Sequence, residues 1–351
     1  MRAKIFQVAA AGGAMYSHAT VDVLSRGKSY EFPLKYKGLE IDYMVTGFWP
    51  IVKHGPPLIL KMLFKDMSKY RILHNLSTSP FWPRNRKNII LITTAHELQE
   101  IQFPELTKVV MTSFKSWLWR HTITIPGIKC LLDSDYAAAT SQLMRDGLIG
   151  AGFPKDKIYM TPLGVGPDFI GTPLKKQERK KFKVGTVGTL APQRNPFFSI
   201  EAIKCLAGVD LEYEMWGGRL YSENQILEKI GTDNRIKLMG YVPDAMKVSV
   251  YDSLDVFLYP SLFEGFSLPI MEAKSRGLPV ILYKGGHISP EVKKYCFEAK
   301  SPEHMAEIIQ KIKDNGYNEK LRKKVVQDAR RFNVERTGMS ILNAYEDILT
   351  R

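Results

Sequence analysis

Short apolar runs alternate with segments of helical period along most of the chain. The runs predict strands over 4–9, 41–46, 71–75, 88–94 and 129–133 in the first half. In the second half they predict strands over 182–187, 211–216, 236–239, 256–259 and 279–282. Apolar positions at three- and four-residue spacing predict helices over 196–206, 223–230, 268–276 and 302–313, with two closing helices over 318–331 and 334–349. Strands alternating with helices are the pattern of an α/β fold with parallel sheets. Local chemistry marks several ends. Ser301-Pro302-Glu303 supplies a cap, a proline for the first helical position and an acid for the first turn. Gly12-Gly13 follows the first strand, and Gly27 fits the stop of the helix after it.

The alternation breaks over 164–171 and restarts at Phe182. The charged stretch 175–181 has no apolar face and reads as a solvated linker. This divides the chain into an N-terminal domain over 1–170 and a second domain over 171–333, with a last helix over 334–351. A length of 351 residues suits two such domains.

Composition changes this picture little. Hydrophobic residues make up 44% and charged residues 25%, as in ordinary globular proteins. No apolar run reaches the roughly 18 residues of a membrane-crossing helix, and the first residues read as a strand rather than a signal peptide. Cys130, Cys205 and Cys296 are widely spaced with no CxxC pair, which points to a reduced, cytoplasmic setting and away from a zinc site. The net charge of +14 favours anionic partners: phosphorylated substrates, an anionic membrane surface or nucleic acid. No nucleic-acid motif accompanies it, so nucleic acid is not the expected partner. The stretches 58–65 and 114–120 mix bulky apolar residues with Lys and Arg. They read as helices packed on a sheet with their cations outward, or as segments lying in a membrane interface.

The richest chemistry lies over 261–280, after the strand 256–259. Gly265 suits a tight turn, Ser267 a helix cap, Pro269 the first turn and Gly277 the helix stop. Amides around Gly265, Phe266, Ser267 and Leu268 then face the C-terminal edge of a parallel strand, where open α/β sheets bind ligands and a helix start favours anions. Glu264 falls in the loop. Glu272 falls about one and a half turns into the helix, too deep to serve the helix dipole.

This segment resembles the E-x7-E signature of retaining GT-B glycosyltransferases, in particular glycosyltransferase family 4, the glycosyl transferases group 1. The resemblance extends through Val187–Asn195, Gly217-Gly218-Arg219, Gly240–Pro243, Asp255–Ser261, Gly12-Gly13 and the stretch from Ser141 to Val165. It implies two Rossmann-like α/β/α domains facing across a cleft, the last helix crossing back to the N-terminal domain. It also implies transfer of a hexose-type sugar from a nucleotide-diphosphate-sugar donor to a glycan, lipid-linked or protein acceptor hydroxyl, with retained configuration. No metal and no cofactor beyond the donor substrate are implied. Residue by residue, Arg194 and the Gly265–Leu268 amides hold the diphosphate and Glu272 the ribose. Val242 lies in the segment that meets the nucleobase. Glu264 and His96 hold the sugar, and Gly13 lets backbone approach donor or acceptor. The family's second cation falls at Thr189, so either phosphate is held less strongly or another residue supplies the charge. Two other readings stand beside this one. One is a GT-B sugar-nucleotide epimerase, and the other is a non-catalytic basic binding protein with a degenerate cleft.

Overall fold

The computed structural model describes residues 3–10, 34–37, 39–46, 68–78, 88–110, 117–118, 120–171, 181–218 and 223–351. The chain divides into two compact units: Met1–Gly164 with Val334–Arg351, and Val165–Asn333.

Among the described residues the first unit holds seven strands: β1 (Ala3–Ala10), β2 (Leu34–Tyr36), β3 (Leu39–Thr46), β4 (Ile72–Asn75), β5 (Ile90–Ala95), β6 (Tyr136–Ala139) and β7 (Ile158–Met160). Their order is β2-β3-β1-β4-β5-β6-β7, parallel except for β2. Register places Ile5 beside Ile41 on one side and Ile72 on the other, and all three are fully buried. The helix Val334–Thr350 supplies Ile341, Leu342, Tyr345 and Ile348 to this core. Their spacing of three and four residues makes one apolar stripe.

A buried polar chain fixes that helix to the sheet. Gln7 Nε2 donates to Tyr345 Oη at 2.7 Å, and Tyr345 Oη lies 2.6 Å from His74 Nδ1. The phenol accepts from the amide, and His74 Nε2 lies 2.9 Å from Thr94 Oγ1. Burial, aided by the nearby His96, pushes the His74 pKa down to about 3, so the ring is neutral at neutral pH.

The second unit holds β8 (Phe182–Val187), β9 (Leu211–Trp216), β10 (Ile236–Gly240), β11 (Val256–Tyr259), β12 (Phe263–Glu264), β13 (Val280–Tyr283), β14 (His287–Ile288) and β15 (Phe297–Ala299). Six form a fully parallel sheet, β10-β9-β8-β11-β13-β15, while β12 and β14 pair separately. The chain leaves β8 in one direction and returns through β11 in the other. That reversal is the topological switch point. Ile200, Ile203 and Ile309 on helices cover Val184, Met215 and Leu258 from the sheet.

One expectation changes here. Of the stretch 129–133, expected as a strand, residues 129–132 belong to the helix Ile125–Leu132 and Asp133 ends it, because Pro126 suits its first turn and Ile128 and Leu131 reach the core at helical spacing. The strand comes next, at Tyr136–Ala139, where an alanine run carries little strand signal. The first βα turn, with Gly13 and Gly27, lies outside the described residues, as does Arg219.

Candidate functional site

The switch point of the second sheet is where the chemistry gathers. After β8 the chain turns at Gly188 into the short turn Pro192–Arg194 and the helix Pro196–Cys205. After β11 it passes Pro260 and Ser261 into β12. The two loops are tied together: Gln193 Nε2 donates to the Phe263 carbonyl at 3.0 Å, and Leu262 N–H donates to the Gln193 carbonyl at 2.8 Å. Gly217 closes the floor. A Cβ there would lie 1.8 Å from the Gly188 carbonyl oxygen, and its φ of +145° also excludes larger residues.

Arg194 and Glu264 meet here. Glu264 is buried, and Arg194 Nη1 forms an ion pair with its Oε1. The Ser261 hydroxyl donates to the same oxygen at 2.6 Å. The guanidinium also lies over the Tyr259 ring, 5.2 Å from its centre. Sequence reasoning gave these two residues separate ligand roles; the structure couples them. A guanidinium has five N–H donors in a planar fork, so one that holds a carboxylate keeps others for a second anion. Beside Arg194 is a small cavity lined by Thr186, Gly188, Thr189, Tyr213 and Tyr259 among others. The hydroxyls of Ser199, Tyr213 and Tyr259 are buried around it, that of Tyr213 beside Ser199 and that of Tyr259 beside Ser267 and Arg194. Thr189, where the resemblance places a cation, offers this pocket only a hydroxyl.

Both helices that start at the switch point are entered through a left-handed residue: Asn195 (φ 51°) before Pro196–Cys205 and Ser267 (φ 70°) before Leu268–Ser275. Neither side chain caps its helix. Ser141, Ser301 and Asn318 do so elsewhere, each accepting from a first-turn amide. The cap expected of Ser267 is therefore not formed, and the left-handed turn sits on Ser267 rather than Gly265. A left-handed serine is a strained choice, of the kind that collects at ligand sites. First-turn amides without a side-chain cap are an anion-binding surface. Phe266 is buried against Phe332, ring centres 5.6 Å apart, which anchors the loop ahead of Leu268.

Glu272 projects from the same helix and is 3% exposed. Tyr251 donates to its Oε2 at 2.7 Å. Burial raises the Glu272 pKa; the Tyr251 hydrogen bond and the Lys247 charge oppose the rise. Tyr251, Phe257 and Tyr259 form a row, with ring centres 5.4 and 5.6 Å apart, leading from Glu272 towards Arg194. Val242 is buried just beyond β10, and the Gly240 carbonyl ahead of it accepts from Gly217 N–H at 2.7 Å. Arg194, Val242, Glu264, Gly265, Phe266, Ser267, Leu268 and Glu272 thus all belong to the second unit. Sequence reasoning passed over Ser261, Tyr251 and Tyr259. Ser261 stands three residues before Glu264 and was the one with a local signal.

His96 belongs to the first unit, directly after β5. Its Nε2 lies 2.8 Å from the Leu76 carbonyl. A carbonyl only accepts, so Nε2 carries the proton and Nδ1 is the acceptor of the neutral ring. Burial lowers its pKa, against the hydrogen bond to Leu76. Thr78 Oγ1 accepts the His96 N–H and donates to the Thr94 carbonyl, fixing the backbone at the strand end.

Residues 173–332 match the family model for Glycosyl transferases group 1. That stretch is a glycosyl transferases group 1 domain. It contains the whole Arg194–Glu264–Glu272 cluster. Among curated relatives, O-antigen chain mannosyltransferase B of Escherichia coli is 28% identical over 214 residues, 55% of each chain. The amylovoran biosynthesis glycosyltransferase AmsK of Erwinia amylovora is 30% identical over 151 residues, 40% of this chain and 37% of the relative. The matched part thus spans about half or less of these relatives' length. Among solved structures, a glycosyltransferase from Rickettsia africae superposes with TM-score 0.69 at 16% identity, covering 99% of both chains. Anabaena Alr3699/HepE in complex with UDP-glucose superposes with TM-score 0.68 at 17% identity, covering 99% of this chain and 100% of that one. The two parallel-sheet α/β units have the GT-B fold.

Proposed function

We propose that the protein is a glycosyltransferase that moves a sugar from a nucleotide-diphosphate-sugar donor to an acceptor hydroxyl, retaining the configuration of the transferred sugar. The observation that carries this reading is the Arg194–Glu264 pair between two helix starts that lack side-chain caps, at the switch point of a parallel sheet. Such a place combines a fixed cation with backbone N–H groups. That is what a leaving diphosphate needs as charge develops on it. The relatives include enzymes named for mannose and galactose transfer, one of them onto a diphosphoundecaprenol-linked sugar. A solved neighbour is titled as a complex with UDP-glucose.

In this reading Arg194 and the amides of Gly265–Leu268 take the diphosphate. Glu264, held by Arg194 and Ser261, accepts hydroxyls of the sugar. Glu272 takes the ribose, Val242 lies beside the base, and His96 contacts the sugar. Gly13 lets backbone approach donor or acceptor. A carboxylate already ion-paired with Arg194 is a weak nucleophile, which suits a front-face displacement in which the diphosphate takes the acceptor's proton. No metal is required for those steps, and the acceptor is a glycan, lipid-linked or protein hydroxyl. The test is transfer from UDP-, GDP-, ADP- and TDP-sugars to simple glycoside acceptors, with and without EDTA, reading the product's anomeric configuration by NMR. Retained configuration and EDTA-insensitive turnover are expected. Inversion, or donor conversion without an acceptor, would contradict the proposal.

A further inference from the structure

We propose that an exposed face of the first unit, carrying Trp117, Leu118, His121, Ile125 and Lys129, seats on the headgroup region of an anionic lipid bilayer. Nine large hydrophobic residues are exposed among the described residues, and three of them fall within this one nine-residue stretch: Trp117 at 50%, Leu118 at 43% and Ile125 at 39%. The exposure is not a shortage of core. The helix Ile125–Leu132 already buries Gly127, Ile128, Cys130 and Leu131, and offers Ile125 and Lys129 on its other side. Cations turned outward and apolar groups turned inward would describe a helix merely packed on a sheet. Here Trp117 and Leu118 are turned outward too.

The backbone of this stretch is suited to a water-poor surface. His121 Nδ1–H donates to the Trp117 carbonyl at 2.8 Å, and Thr122 Oγ1 donates to the Leu118 carbonyl at 2.8 Å. Both carbonyls sit beneath exposed apolar side chains, and both have partners that need no water. The His121 ring also lies against the Trp117 indole, centres 4.4 Å apart, which restrains the indole where it is exposed.

Charge selects the partner. From Leu106 to Leu132 the sequence has four Lys or Arg residues and no Asp or Glu. Arg120 is held by Glu100 at 2.8 Å, and Lys129 is exposed on the apolar face itself. A tryptophan, aliphatic tips and the exposed Lys129 ammonium match the interface of an anionic bilayer, where indole rings sit at headgroup level. The net charge of +14 adds attraction to such a surface.

The test is co-sedimentation of the full chain with phosphatidylcholine vesicles, with and without phosphatidylglycerol. Binding to the anionic vesicles is expected to exceed binding to the neutral ones by about tenfold or more. The variant Trp117→Ala/Leu118→Ala, which alters only exposed side chains, should lose about tenfold of that binding, and Lys129→Glu should weaken it further. Leu227→Ala, at an equally exposed leucine of the second unit, should change nothing. Equal binding by the double variant and the parent would overturn the proposal. So would absence of sedimentation with either vesicle. A parent that self-associates through Trp117 without binding vesicles would mark the face as a contact between copies, and would overturn it equally. Nucleotide binding is read in a separate assay, so failure here leaves the donor-site reading untouched.

Discussion

At the scale of single residues, the decisive feature is that Glu264 is not a lone carboxylate. It is buried, ion-paired with Arg194 and hydrogen-bonded by Ser261. Glu264→Ala should therefore cut sugar transfer by about a hundredfold or more while leaving nucleoside diphosphate affinity equal or tighter, because Arg194 loses its internal counter-charge. Parallel measurement of turnover and of diphosphate binding by calorimetry checks this; equal loss of both would tie Glu264 to the diphosphate instead. Glu272 makes a different prediction. Its folded pKa is raised above the unfolded value, so the folded state holds its proton more tightly. That contribution is fully present below the ordinary carboxylate pKa and is lost as pH rises through the raised one. Glu272→Gln keeps an acceptor for Tyr251 and has no charge to bury. Relative to the parent it should gain stability as pH rises, read by urea unfolding across a pH series. The positions of both glutamates were legible from their spacing. Their partners were not, because Tyr251 and Arg194 lie 21 and 70 residues away in sequence, and only the fold sets them beside the glutamates.

At the scale of elements, strands β8, β9 and β11 were legible to the residue, because each is a short run rich in β-branched and aromatic residues or alternating in polarity, closed by Gly or Pro. The strand at Tyr136–Ala139 was not, since alanine favours neither state strongly enough. The helix Asp244–Asp252 was also missed: of its nine residues only Val250 and Tyr251 are buried, so it has little apolar stripe to read. Two predictions belong here. Gly217→Ala forces a methyl into the Gly188 carbonyl at a backbone angle alanine resists, and should cost about 3 kcal/mol or more. A melt within a degree or two of the parent would contradict that. The Gln7–Tyr345–His74–Thr94 chain predicts a pH effect of opposite sign to that of Glu272. The His74 pKa is depressed from 6.5 to about 3, so its contribution is fully present above the unfolded pKa and is lost as pH falls towards about 3. Between those values the parent should lose up to about 1.4 kcal/mol per pH unit more than a His74→Phe variant, which is less stable at neutral pH but flatter. Urea titrations at several acid pH values compare the two slopes.

At the scale of the whole molecule, the α/β alternation was enough to read two parallel-sheet units. The chain divides at Gly164 and again at Asn333, so its last helix is part of the first unit's core. A chain ending at Asn333 should therefore lose the first unit's cooperative melt and keep the second's. Loss of both together, by calorimetry, would show that the units fold as one. The central claim remains that the glycosyl transferases group 1 domain holds a nucleotide-diphosphate-sugar site. Its most direct test is a thermal-shift screen of the full chain against UDP, GDP, ADP, TDP and their sugar conjugates, repeated with Glu272→Ala. One base should raise Tm, by an amount equivalent to about 2.7 kcal/mol at a hundredfold excess over Kd, and the variant should lose most of the shift. No shift with any of these nucleotides, in a sample that melts cooperatively at saturating ligand, would contradict the account.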